Sequence, residues 1–126
     1  MSVAYVDTSC LVAVAFGERG AAALARRMAG FEELVASNLL EAELRAAFQR
    51  EGVDAAPEAL GAIAWVLPDR PLSEEITTVL STGQLKGADC FHLATALYVA
   101  GTPSAMWFLT LDQAQKRAAD RLGFRI

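Results

Sequence analysis

Val3-Ala4-Tyr5-Val6-Asp7-Thr8-Ser9-Cys10-Leu11 is the stretch that decides the fold. Its first four residues read as a short buried strand that stops at a carboxylate. Thr8 or Ser9 is then placed to cap a helix over residues 10–16, closed by Gly17. The same strand-then-helix sentence recurs down the chain. A second, Ala-rich helix is predicted over 18–28, a strand at 34–36, and a helix capped by Ser37 or Asn38 running to about residue 50. Gly52-Val53-Asp54 breaks it, 55–65 reads as the next helix, and Val66-Leu67 as a possible short strand before Pro68. Ser73 caps a helix to about residue 81, Gly83 and Gly87 bracket a loop, and 88–100 is a strongly apolar helix. A strand at 105–109, a helix at 113–122 and a terminal strand at 124–126 complete the chain. Strands separated by helices rather than by hairpin turns imply a parallel sheet covered on both faces. The expectation is an α/β protein, a three-layer α/β/α arrangement around a central, mainly parallel sheet, in one domain over residues 1–126.

Composition narrows the class. A chain of 126 residues that is 54% hydrophobic has enough apolar material for one real core and little room for a second. Its apolar runs are short: residues 10–16 are cut off by Gly17-Glu18-Arg19, and 91–100 contains His92 and Thr95. A spanning helix needs roughly 20 mainly apolar residues, and no basic region precedes the early Asp7 as in a signal peptide. The expectation is a soluble, cytoplasmic protein with no membrane partner. Cys10 and Cys90 lie inside apolar helical patterns without metal-type spacing and read as small buried hydrophobes. A net charge of −4 argues against a surface that coats nucleic acid, but not against a nuclease, because carboxylates around a metal lower the net charge themselves.

Four acids, Asp7, Glu43, Asp89 and Asp112, stand in segments that are otherwise apolar or built of small residues. Buried carboxylates are costly unless paired or metal-bound, so four that converge would suit a hard divalent cation. Asp7 and Asp112 each follow a strand, and in a parallel sheet ligands bind beyond the strands' carboxyl ends. At about 100° per residue, Glu43 shares the inward stripe of Leu40, Leu44, Ala47 and Phe48, whereas Glu41 lies to the side, four residues before Arg45. Asp89 shares a face with His92, Leu93 and Ala96. Each acid also has a plain structural use: an Asx turn or cap for Asp7, an N-cap for Asp112, a dipole-favoured first-turn carboxylate for Asp89, and an ion pair for Glu43. His92, the only histidine, cannot build a histidine metal centre and reads as packed and hydrogen-bonded.

Tyr5-Val6-Asp7-Thr8-Ser9-Cys10-Leu11, Ser37-Asn38-Leu39-Leu40-Glu41-Ala42-Glu43-Leu44, Gly87-Ala88-Asp89-Cys90-Phe91-His92-Leu93-Ala94-Thr95-Ala96 and Leu109-Thr110-Leu111-Asp112 resemble, in order, the motifs of PIN-domain nucleases, especially VapC-type toxins. The resemblance extends through Ala118-Ala119-Asp120-Arg121-Leu122-Gly123-Phe124. It implies an endoribonuclease dependent on Mg²⁺ or Mn²⁺, with Asp7, Glu43, Asp89 and Asp112 as metal-binding catalytic acids. Thr8 or Ser9, and Thr110, match supporting hydroxyl positions, and Glu41 competes with Glu43 for the second acid. It also implies a cognate VapB-like antitoxin and a homodimer, to which Leu24 and Met28 of the second helix could contribute if they do not simply fill the core. Hard cations of this kind prefer oxygen ligands and retain water, as one ion or as a pair. Other readings fit less well. A receiver domain wants a late lysine that Lys86 and Lys116 match poorly, and a haloacid-dehalogenase-type phosphatase wants an acid where Ser9 stands. A PIN-like scaffold without catalysis, or a housekeeping nuclease without an antitoxin, remains the alternative.

Overall fold

The computed structural model describes residues 2–53 and 57–126. Its elements in chain order are β1 (Val3–Val6), α1 (Thr8–Ala15), α2 (Ala21–Ala29), β2 (Glu33–Ser37), α3 (Leu39–Arg50), α4 (Pro57–Leu60), β3 (Ile63–Val66), α5 (Ser73–Leu80), α6 (Gly87–Ala100), a 3-10 turn (Pro103–Ala105), β4 (Trp107–Leu109) and α7 (Gln113–Leu122). The four strands form one all-parallel sheet in the order β3-β2-β1-β4. Parallel neighbours need crossovers rather than hairpins, and each crossover here carries helices. α3 and α6 pack on β2 and α7 on β4, while α1 joins α2 and α3, and α6 joins α5 and α7. The result is three layers, α/β/α.

β1 runs through the middle, and Ala4, Tyr5 and Val6 are wholly buried, which is why the strand shows no polar alternation. Tyr5 lies opposite Phe108 in the β1–β4 register, and their rings stack with centroids 5.3 Å apart. From β1 the chain steps to β2 and β3 on one side, then returns to add β4 on the other. The order therefore reverses between β1 and β4, and the crevice beyond their carboxyl ends is where open α/β sheets bind ligands. Asp7 and Thr110 are the next residues after those two strands.

Several elements depart from the sequence reading. α1 starts at Thr8 rather than Cys10, because Asp7 itself is the cap: its backbone is extended and its Oδ2 accepts from the Ser9 amide at 3.0 Å. α2 starts at Ala21 rather than residue 18. Gly17 takes a left-handed φ of 62°, and the amides of Gly17 and Glu18 close α1 on Val14 and Ala13, so those residues are spent ending one helix. The largest correction concerns the helix expected over 55–65. Residues 54–56 lie outside the described residues; beyond them stand the one-turn α4 and then β3, paired through Leu34↔Ile63 to Ser37↔Val66. A short apolar run reads equally as helix or strand, and the open edge of β2 decides it. β4 is shorter than expected because Pro103–Ala105 forms the 3-10 turn. The terminal strand is reduced to one parallel bridge, Trp107↔Arg125. Met28 lies in the core and Leu24 packs against it, so core packing accounts for that face of α2. Among the described residues no helix is long and apolar enough to cross a membrane.

Candidate active site

Asp7 is 5% exposed, and both of its oxygens are held: Oδ2 by the Ser9 amide and Oδ1 by the Gln115 side-chain amide at 3.2 Å. Across the rim, Asp112 caps α7, its Oδ1 accepting from the Gln115 backbone amide at 2.8 Å. Thr110 joins the two, because its hydroxyl accepts from the Asp112 amide at 3.1 Å and donates to the Gln115 side-chain oxygen. Ser9 completes this corner: its hydroxyl accepts from the Leu111 amide at 3.1 Å and lies 3.5 Å from the Thr110 hydroxyl.

Glu43 enters from α3, half-buried. Its Oε1 accepts from the Thr8 hydroxyl at 2.7 Å and meets His92 Nε2 at 2.6 Å. Burial pushes the Glu43 carboxyl up, but the hydrogen bonds from His92 and Thr8 outweigh it and hold the group below the ordinary glutamate range. Behind it, the wholly buried His92 meets the Tyr5 hydroxyl through Nδ1 at 2.7 Å, and that hydroxyl also accepts from the Ser37 amide at 3.0 Å. Burial raises the Tyr5 phenol, so it keeps its proton and donates it to Nδ1. Nε2 then carries the imidazole proton and donates to Glu43. The chain Ser37 N–H, Tyr5, His92, Glu43 thus runs in one direction from β2 through β1 and α6 to the rim on α3. Glu41 turns away, its carboxylate 2.7 Å from Arg45 Nε and bonded to the Asn38 side chain.

Asp89 sits in the first turn of α6 and differs from the other three acids. Among the described residues its carboxylate has no hydrogen-bond donor, although its backbone carbonyl accepts from Gln115 at 3.3 Å. Burial raises its carboxyl, and the negative charges of Asp7, Asp112 and Glu43 raise it further. Four carboxyl groups from four separate elements therefore act on one another at one rim. They are not gathered tightly: among the described residues no three His, Cys, Asp or Glu side chains form a group that would hold an ion unaided. An oxygen-only donor set with room for water suits Mg²⁺, which binds through one or two carboxylates and keeps several waters. No thiol competes for the chemistry, since burial, with the charge of Asp7, pushes Cys10 up to about 12, and burial raises Cys90 as well.

All seven sequence candidates, Asp7, Thr8, Ser9, Glu43, Asp89, Thr110 and Asp112, reach this rim. The sequence reading missed Gln115 and Tyr5 and set His92 apart. Gln115 is 0% exposed and bonds to Asp7, Asp112, Thr110 and the Asp89 backbone at once. Its signal was available: with Ala118, Ala119 and Leu122 it forms the i, i+3, i+4, i+7 stripe of α7, a buried amide in an apolar face. Tyr5 carried no such signal, because a tyrosine in a central strand looks like core.

An α/β protein with four acids along the rim at the switch point of a parallel sheet, and both thiols buried, is of the class that handles a cation or a phosphoryl group there. The chain belongs to the PIN-domain family: the family model described as PIN domain matches residues 4–121. This is generally a ribonuclease fold. A comparison with curated proteins gives no match.

Proposed function

We propose that the protein is a divalent-metal-dependent endoribonuclease in which Asp7, Glu43, Asp89 and Asp112 hold Mg²⁺ or Mn²⁺, and that it acts as the toxin of a VapBC-type toxin–antitoxin pair. The observation that carries the nuclease reading is Asp89: a carboxylate with no hydrogen-bond donor among the described residues, and with three other acids opposing its ionisation, is relieved by a cation. When bound, the ion lowers the pKa of a coordinated water and neutralises charge developing on the scissile phosphate. The protein's own groups do the positioning. His92 and Thr8 fix the Glu43 oxygen, Ser9 and Gln115 fix those of Asp7, and Thr110 ties Gln115 to the α7 cap. With no activated thiol to form a covalent intermediate, water attacks the phosphorus and the products carry a 5′-phosphate and a 3′-hydroxyl.

The toxin reading is supported by the four ordered motifs and their near full-length extent; with it go a homodimer and a VapB-like antitoxin bound near the acids. The test has two stages. Purified protein is expected to cleave RNA in Mg²⁺ or Mn²⁺, to stop in EDTA, and to lose cleavage in Asp7→Asn with the fold retained. Equal cleavage in EDTA, or by Asp7→Asn, would overturn the assignment of the site. Expression alone is then expected to arrest growth, and co-expression of a small protein encoded next to it to relieve the arrest. A harmless wild type with confirmed metal-dependent cleavage would mean a nuclease without a toxin role.

A further inference from the structure

The hollow beside Asp89 and Asp112 does not end at the acids. It is floored by Gln84 and Leu85 and flanked by Lys86 and Ala114. Gln84, Leu85 and Ala114 also line the next hollow, whose far wall carries Arg117 and Arg121. The two are therefore one trough, running from the acidic rim between the α5–α6 loop and the outer face of α7. Ala114, Arg117 and Arg121 follow one another at helical spacing along that face.

The charges in the trough are not spent on internal pairs. Among the described residues the ion pairs are Arg45–Glu41, Arg70–Glu75 and the contacts of His92, and none involves Lys86, Arg117 or Arg121. All three are exposed. Arg121 is anchored through Nη1 to the Thr82 carbonyl, which holds its guanidinium at the lip of the loop and leaves its other donors open. In a chain of net charge −4, three exposed cations with no ion-pair partner among the described residues line the hollows that lead away from the acids. A rim of four acids repels phosphate, so a polyanionic substrate needs cations close by to be held against it.

We propose that this trough binds the sugar–phosphate backbone of single-stranded RNA flanking the scissile bond, with Lys86 nearest the acids and Arg117 and Arg121 taking phosphates further along. The proposal rests on the ribonuclease reading for the identity of its ligand and is tested apart from cleavage. The probe is a fluorescein-labelled single-stranded RNA oligonucleotide, its anisotropy titrated with the full chain in EDTA at several salt concentrations. Each phosphate contact on a single strand contributes about 0.7 to the slope of log affinity against log salt. Lys86→Gln with Arg117→Gln is expected to lower that slope by about 1.4, two contacts at that value each, and to weaken binding at low salt at least tenfold. Mn²⁺ affinity is expected not to fall, because losing cations beside the acids disfavours no cation there, and in the cleavage assay KM is expected to rise at constant kcat. Arg26→Gln with Arg50→Gln removes the same charge from exposed positions outside the trough and is expected to leave the slope unchanged. Equal loss in both double variants would overturn the proposal in favour of bulk charge, and so would an unchanged slope in the trough variant. A wild type that cleaves RNA but shows no salt-dependent binding in EDTA would overturn the trough and spare the nuclease. One that binds through Lys86 and Arg117 but never cleaves would support the trough and remove the nuclease.

Discussion

Replacing Gln115 by Leu removes one side-chain amide from the centre of the rim and keeps most of its volume. The amide donates to a carboxylate oxygen of Asp7 and to the Asp89 carbonyl, and accepts from the Thr110 hydroxyl. A hydrogen bond to a charged group contributes about 1.5–3 kcal/mol and a neutral one about 0.5–1.5 kcal/mol. Leucine returns part of this through apolar burial, so a net loss of about 2–4 kcal/mol is expected. With a urea slope of about 2 kcal/mol per molar, the middle of the usual range for small proteins, the midpoint of unfolding falls by about 1–2 M. Because Asp7 also loses one of its two donors, Mn²⁺ affinity is expected to drop several-fold in the folded protein. Gln115→Glu supplies a check on cause. It keeps the shape, loses the donor, and sets a buried carboxyl beside Asp7, which raises that carboxyl in the fold. A raised carboxyl leaves the fold stable below its ordinary pKa and weakens it as pH rises through the folded value. The Glu variant is therefore expected to be closest to wild type near pH 4 and furthest from it at pH 7, with a steeper fall than the Leu variant, which adds no ionisable group. Urea unfolding of the three proteins at both pH values, without metal, reads this directly. A Leu variant within about 0.5 kcal/mol of wild type and with unchanged Mn²⁺ affinity would refute the role drawn for the amide.

Two further outcomes follow from the rim's geometry. Glu43→Gln is expected to weaken Mn²⁺ binding and to lower cleavage by orders of magnitude, while Glu41→Gln, which loses only an exposed contact with Arg45, leaves both unchanged; parallel titrations and rate measurements on the pair decide it, and the reverse ranking would exclude Glu43 from the site. Asp89→Asn is expected to raise the melting temperature of metal-free protein at pH 7 and to leave it unchanged near pH 3, because a carboxyl raised in the fold loses its stabilising protonated form as pH rises from the ordinary aspartate range through the folded value; scans in EDTA at the two pH values test this, and a lower melting temperature at pH 7 would refute it.

What the sequence made legible were the features that a local pattern dictates. α7 spans Gln113–Leu122 as read, because Asp112 caps it, Gly123 closes it at a φ of 96°, and its stripe has a helical period. The acids stood out because a carboxylate at the end of a buried strand, or inside an apolar stripe, is costly unless it is capped, paired or metal-bound. β3 did not, because whether Ile63-Ala64-Trp65-Val66 extends depends on the free edge of β2, some thirty residues away. The tie between His92 and Glu43 was hidden for the same reason. Helical spacing gives the face on which each residue lies, but not that α3 and α6, both packed on β2, bring His92 and Glu43 together.

At the sequence level, cap and metal ligand were competing uses for Asp7 and Asp112; in the fold they are compatible. Asp7 caps α1 through Oδ2 while Oδ1 is steadied by Gln115, and Asp112 caps α7 through Oδ1. Carboxylates bonded to backbone amides in the first turn of a helix keep their place whether or not a cation is present. Glu43 is held likewise by His92 and Thr8. With three acids fixed in this way, the mutual repulsion of the rim is concentrated on Asp89, whose carboxylate has no donor among the described residues. A cation would thus find three carboxylates already in position and gain most by neutralising the fourth. On that account the metal-dependent gain in melting temperature should shrink most for Asp89→Asn among single carboxylate-to-amide changes, and a larger loss at Asp112 would place the strain elsewhere.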